Sequence, residues 1–137
     1  MTTPLASKPL VEAIVVLLQA GVPSGCAVYW AGAPQGAAVP YAVIYPDSGT
    51  KSGFHRNLLN DGPDELRYQV TSVGASPGQA QLIADKVALT LLTTIPDVPG
   101  RRVWPTIEEG SQVVRREDES DALWIATAQY LSRSDST

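Results

Sequence analysis

Histidine and cysteine each occur once in this chain, as His55 and Cys26. With one histidine no histidine-rich metal site forms, and Cys26 has no cysteine partner for zinc. A lone cysteine also excludes an intrachain disulfide and suits a reducing compartment, where a free buried thiol is its ordinary state. A Cys–His nucleophile pair would have to join Cys26 to His55, and nothing in their local sequence supports that pairing. Long apolar runs are scarce as well. The stretch Leu10 to Ala20 lacks a basic start and falls short of the roughly 20 residues that span a bilayer. The sequence therefore reads as a soluble intracellular product, with no membrane segment.

Positive charge is also in short supply. Ten basic against fourteen acidic residues leave a formal charge of −4, which argues against nonspecific nucleic-acid binding as the main task. What is present is enough apolar material, 44 % of 137 residues, to build one self-sufficient core. Residues 1–137 read as a single α+β domain with loose ends at 1–7 and 132–137 and a long loop at 46–64. No internal repeat or low-complexity tract appears.

Leu10, Val11, Ile14, Leu17 and Leu18 share one broad face at helical spacing, which Val15 and Val16 widen. Ser7 is placed to cap this helix, and Gly21 with Pro23 to end it. Few polar residues interrupt it, so it should be well covered, with another subunit as one source of the cover. Strands follow at Ala27 to Trp30 and at Tyr41 to Tyr45. In the middle of the chain Leu66, Tyr68, Val70 and Ser72 alternate with Arg67, Gln69, Thr71 and Val73, a period of two. Gly74 ends that strand. Ser76-Pro77-Gly78-Gln79 then opens a second helix with the signature of a capping box. Ala80, Ile83, Ala84, Val87 and Leu91 form its apolar stripe. Beyond the Ile95-Pro96 stop, a strand at Val103 to Ile107 is edge-like or bulged because of Pro105. Val113 to Arg116 pairs with Leu123 to Leu131 across the acidic bend Glu117 to Asp121. The expected fold is α+β: two helices on a mainly antiparallel, mixed sheet of about five or six strands, in the order α-β-β-β-α-β-β(β).

The inventory of chemistry is poor. Glu108-Glu109 and Glu117-Asp118-Glu119 sit in stretches that read as solvent-facing turns. Gly32 to Gly36 follows a strand, but Pro34, the missing lysine and the absent helix spoil a phosphate-loop reading. Arg101-Arg102 and Arg115-Arg116 read as strand-edge charges. No catalytic set, metal site or cofactor is expected. Two readings stand for the segment Pro46 to Asp64, with its basic, aromatic middle of Lys51, Phe54, His55 and Arg56: a surface excursion or a partner-contacting arm. Trp104, Trp124 and Tyr130 read first as core, with a subunit contact as the competitor, because aromatics are enriched at interfaces. These seven residues are the candidate interface set.

Taken together, the opening helix Leu10 to Ala20, the stretch from Ala33-Pro34-Gln35-Gly36 to Pro40-Tyr41-Ala42-Val43-Ile44-Tyr45, Leu66 to Gly74, and Gln79 to Val87 resemble the tail terminator (tail completion) proteins of long-tailed bacteriophages. The resemblance is one of pattern and order, from Leu10 to Tyr130. It implies a structural virion protein without enzymatic turnover, located at the head-proximal end of the tail and assembled in the host cytoplasm. It further implies a hexameric ring that caps the tail tube, ends its polymerisation and offers a surface to a head-completion or connector protein. DNA would pass through the lumen without specific binding. Another neck or head–tail connector protein is the alternative. A small enzyme using Cys26 or an acidic pair, or a small-ligand binding domain, stands behind both.

Overall fold

In the computed structural model the described residues are 6–47, 50–51, 64–117 and 123–136. They form two helices, α1 (Lys8–Gly21) and α2 (Pro77–Thr93). The strands are β1 (Ala27–Trp30), β2 (Tyr41–Pro46), β3 (Thr50–Lys51), β4 (Asp64–Gly74), β5 (Arg101–Val103), β6 (Ile107–Ser111), β7 (Arg115–Arg116) and β8 (Trp124–Ser136). All strands join one sheet whose lateral order is β1-β2-β4-β8-β5. The short β3 lies along β4, and β6 and β7 lie along β8. β1 and β2 run parallel and every other pairing is antiparallel. The expected class, α+β with two helices against a mixed sheet, is the one observed.

The alternation read in the centre of the chain decides which face is which. Leu66, Tyr68, Val70 and Ser72 of β4 are buried beneath the helices. Their cross-strand partners Ser132, Tyr130, Ala128 and Ala126 of β8 share that face, because directly opposed residues in an antiparallel pair project the same way. α1 contributes Leu10, Val11, Ile14 and Leu18 to the core, and α2 contributes Ala80, Ile83, Val87 and Leu91. Neither described helix lies on the opposite face. It presents Arg67, Gln69 and Thr71 of β4 beside Leu131, Gln129 and Thr127 of β8.

The strand-to-helix junction forms as expected, with one shift. Gln79 donates its backbone N–H to Ser76 Oγ at 3.1 Å, and the Gln79 side chain accepts from the Ala75 N–H at 2.7 Å, one residue before the cap. Ser7 behaves differently. Its side chain makes no capping bond and instead donates to the fully buried Asp64 at 2.8 Å. That bond ties the start of α1 to the start of β4.

Four expectations shift. The stretch expected as a single strand, Val103 to Ile107, is divided between β5 and β6. Pro105 has no N–H to give a ladder, so pairing pauses after the Trp104 N–H bonds the Arg133 carbonyl at 2.9 Å. Glu108 and Glu109, expected in a turn, lie in β6, where a bulge falls between Glu108 and Gly110. They do face solvent. The expected strand Val113 to Arg116 is reduced to its last two residues. Finally, the chain is not loose from Ser132. β8 continues to Ser136, paired with β4 on one side and β5 on the other, and the Ser132 and Ser134 side chains are fully buried.

The start of the sheet's first edge is covered by a side chain. Gln19 of α1 donates to the Cys26 carbonyl and accepts from the Val28 N–H, each at 3.2 Å, as a neighbouring strand would. An unpaired strand edge invites pairing with another chain, and covering it is a common defence.

Candidate interaction surfaces

Sequence reasoning singled out seven residues, and the fold separates those of them that are described. Lys51 lies in β3, its backbone opposite Asp64. Phe54, His55 and Arg56 lie outside the described residues, as does most of the segment expected as a long loop. Tyr130 belongs to the core. It is 1 % exposed and stacks on its cross-strand partner Tyr68, with ring centroids 5.8 Å apart and an interplanar angle of 26°. Trp104 and Trp124 are both half-buried but lie at opposite ends of the sheet. Trp124 opens β8 between Gly74 and Arg116. Trp104 follows β5 with the Arg102 and Arg133 guanidinium carbons 5.6 and 5.9 Å from its ring centroid, within the range of a cation–π contact.

The groups that chemistry would use are engaged elsewhere. Cys26 is buried and burial pushes its thiol pKa up, away from the thiolate that nucleophiles need. Glu109 pairs with Arg67 at 3.2 Å on the helix-free face. Glu65 lies 3.8 Å from Arg133. Among the described residues, no group of three or more His, Cys, Asp or Glu side chains is placed to hold a metal ion. No helix among them is long and apolar enough to cross a membrane.

The buried tyrosines carry a pH signature. Burial raises the Tyr68 phenol, although hydrogen bonds from Ser132 and Thr106 pull it partly back. Burial, then the Glu108 carboxylate and Tyr68, push Tyr130 up from the ordinary phenol value of 10.0. A raised folded-state pKa means that the neutral phenol is favoured by folding, so its stabilising effect is intact below about pH 10 and is lost as pH rises above it. Urea melts between about pH 8 and pH 11 should show stability falling through the upper part of that window. In Tyr130→Phe the fall should be shallower. An unchanged slope in that variant would place the responsible group elsewhere.

What sequence reasoning missed is a set of apolar side chains left outside the core. Val16 of α1 is 69 % exposed, and Leu82, Leu89 and Leu92 of α2, with Ile95 after it, are each at least two-fifths exposed. The signal was present: Leu82, Leu89 and Leu92 fall off the buried stripe of α2 at intervals of seven and three, a second face of that helix. Val16, Leu17, Ile95 and Pro96 line an apolar cleft of about 450 Å³ between α1 and the segment after α2, with Glu12 and Asp97 at its rim. A smaller cleft of about 220 Å³ between α2 and β6–β8 is more polar, with Gln81, Asp85, Glu108 and Thr127 among its walls.

These observations define an α+β fold with a covered helix-side core, one sheet edge covered at its start and apolar surface left over on its helices. The solved structures contain a similar fold: a chain from the virion of a native gene transfer agent (GTA) particle. It is 13 % identical, with a TM-score of 0.60 over 95 % of this chain and 92 % of that one. No family model matches the chain and no curated protein matches it.

Proposed function

We propose that this protein is a structural component of a phage-like virion, and that it acts as a tail terminator. Copies assemble into a closed ring, six by the resemblance to the terminator family. The ring caps the tail tube, stops its growth and presents a surface to a head-completion protein while DNA passes through the lumen. Its work is done by shape and contact, without turnover. The observation that carries this reading is the end-to-end likeness of fold to a virion chain, since nearly the whole of both chains is aligned. The apolar surface on α1 and α2 adds to it. Val16 and Leu17 line one apolar cleft with Ile95 and Pro96, and exposed apolar patches of this kind mark protein–protein contacts.

Two measurements test the proposal. Mass photometry of the purified protein, alone and with tail tube protein, should reveal a hexamer; a monomer under both conditions would defeat the ring. Electron microscopy of tails assembled without this protein should show overlong tubes. Tails of normal length would instead favour a connector role at the neck.

A further inference from the structure

Two surfaces of this chain, one an apolar cleft and one an exposed apolar side chain beside two arginines, lie too far apart to meet within one copy. The first is the cleft between α1 and the segment after α2, apolar along Val16, Leu17, Ile95 and Pro96 and acidic at its rim through Glu12 and Asp97. Lys8 lies 3.9 Å from Glu12 on the open surface of α1. The second is the segment Val113–Arg116 on the far sheet edge. Val113 is 81 % exposed, the most exposed of the large apolar side chains described, and the solvent-facing Arg115 and Arg116 follow it.

That segment, a knob, is paired to β8 at both of its ends. On one side the Gln112 N–H bonds the Thr127 carbonyl at 2.8 Å. On the other Arg115 and Arg116 pair with Ile125 and Trp124, and the Glu117 N–H bonds the Leu123 carbonyl at 2.9 Å. Val113 and Val114 lie between these two anchors, Val113 exposed and Val114 half-buried.

The topology puts the two surfaces at opposite ends. β7 pairs with the start of β8, which lies opposite Gly74, and Gly74 touches the first turn of α2. The cleft lies beyond the last turn of α2. A 17-residue helix covers about 25 Å at 1.5 Å per residue, so the knob cannot reach the cleft of its own chain.

We infer that Val113–Arg116 of one copy docks in the α1–α2 cleft of a second copy. Val113 seats on the apolar floor, and the two arginines face Glu12 and Asp97. A contact between two different patches is heterologous, and it closes into a ring when the rotation per subunit allows. The inference deepens the ring reading above and rests on it.

Charge exchange tests it. The rim variant Glu12→Arg/Asp97→Arg and the knob variant Arg115→Glu/Arg116→Glu should each require at least tenfold more protein to assemble, as read by mass photometry. An equimolar mixture of the two should recover assembly, because each knob then meets an opposite rim. Folding of each variant is checked by its circular dichroism melt. As a second route, Val113→Cys/Ile95→Cys treated with a short bismaleimide should give a ladder of linked multimers. Mixing the two single cysteine variants should give a product that stops at the dimer. Unchanged assembly in both charge variants, or no ladder from the double cysteine variant, would overturn the docking while leaving the ring intact. A wild-type chain that stays monomeric beside tube protein would overturn both.

Discussion

Gly74→Ala is expected to lower the melting temperature by about 10 °C, a large effect for one methyl group. A Cβ at this position would lie 2.6 Å from the Ala80 backbone nitrogen and 3.0 Å from the Gln79 carbonyl carbon. These obstacles are main chain in the first turn of α2 and cannot rotate aside. Relief requires separating the end of β4 from the helix, which opens the Ser76 and Gln79 caps and lifts Ala80 and Ile83 from the core. Overpacking of this kind costs about 1–3 kcal/mol, and a rigid obstacle belongs at the upper end. For a domain of this size each kcal/mol moves the midpoint by roughly 3–4 °C. Gly78→Ala is the control. Its Cβ would meet nothing within 4 Å, and a glycine replaced at an unstrained helical position gains up to about 1 kcal/mol through the unfolded chain. Circular dichroism melts of the two variants should therefore move apart. A Gly74→Ala midpoint within about 2 °C of wild type, less than 1 kcal/mol on the same scale, would mean that the junction yields freely.

The same junction shows what could be read from the chain before any coordinates. The alternation of Leu66 to Val73 and the Ser76-Pro77-Gly78-Gln79 cap are local signals, and β4 and α2 form where they point. β1 runs from Ala27 to Trp30 as expected. Long-range pairing was not legible. Ser132-Arg133-Ser134-Asp135-Ser136 has the composition of a loose tail, yet it is strand because β4 and β5 flank it. Ser132 is buried against polar partners from distant sequence. The Ser132 hydroxyl lies 3.0 Å from Tyr68 Oη and 2.9 Å from Thr106 Oγ1. Buried hydroxyls are tolerated when bonded, and no pattern of apolar residues announces that. Cover for the start of the β1 edge by Gln19 is likewise a contact between elements. The surfaces were hidden for a different reason. α2 carries leucines on two faces, and only the position of the sheet decides that Leu91 is core while Leu82 and Leu89 meet solvent.

Tyr130 and Trp104 offer the sharpest separation of core from surface, because for both the sequence left core packing and a subunit contact as competing readings. Tyr130→Ala is expected to cost about 3–5 kcal/mol, the usual range for emptying a buried aromatic site. Its ring is stacked on Tyr68 within the buried core, and removing it leaves a cavity beside the Tyr68 ring. The loss should appear in urea melts at any protein concentration, since it belongs to the single subunit. Trp104→Ala removes a half-buried ring and its contacts with Arg102 and Arg133. Cation–π contacts at exposed sites contribute about 0.5–1 kcal/mol, so the folded subunit should lose only about 1–2 kcal/mol once partial burial is added. The two variants thus differ in kind: Tyr130→Ala should weaken the subunit itself, and Trp104→Ala should leave a well-folded one. If Tyr130→Ala kept wild-type melting and lost only assembly, the tyrosine would have to be reachable by a neighbour, which a side chain 1 % exposed is not.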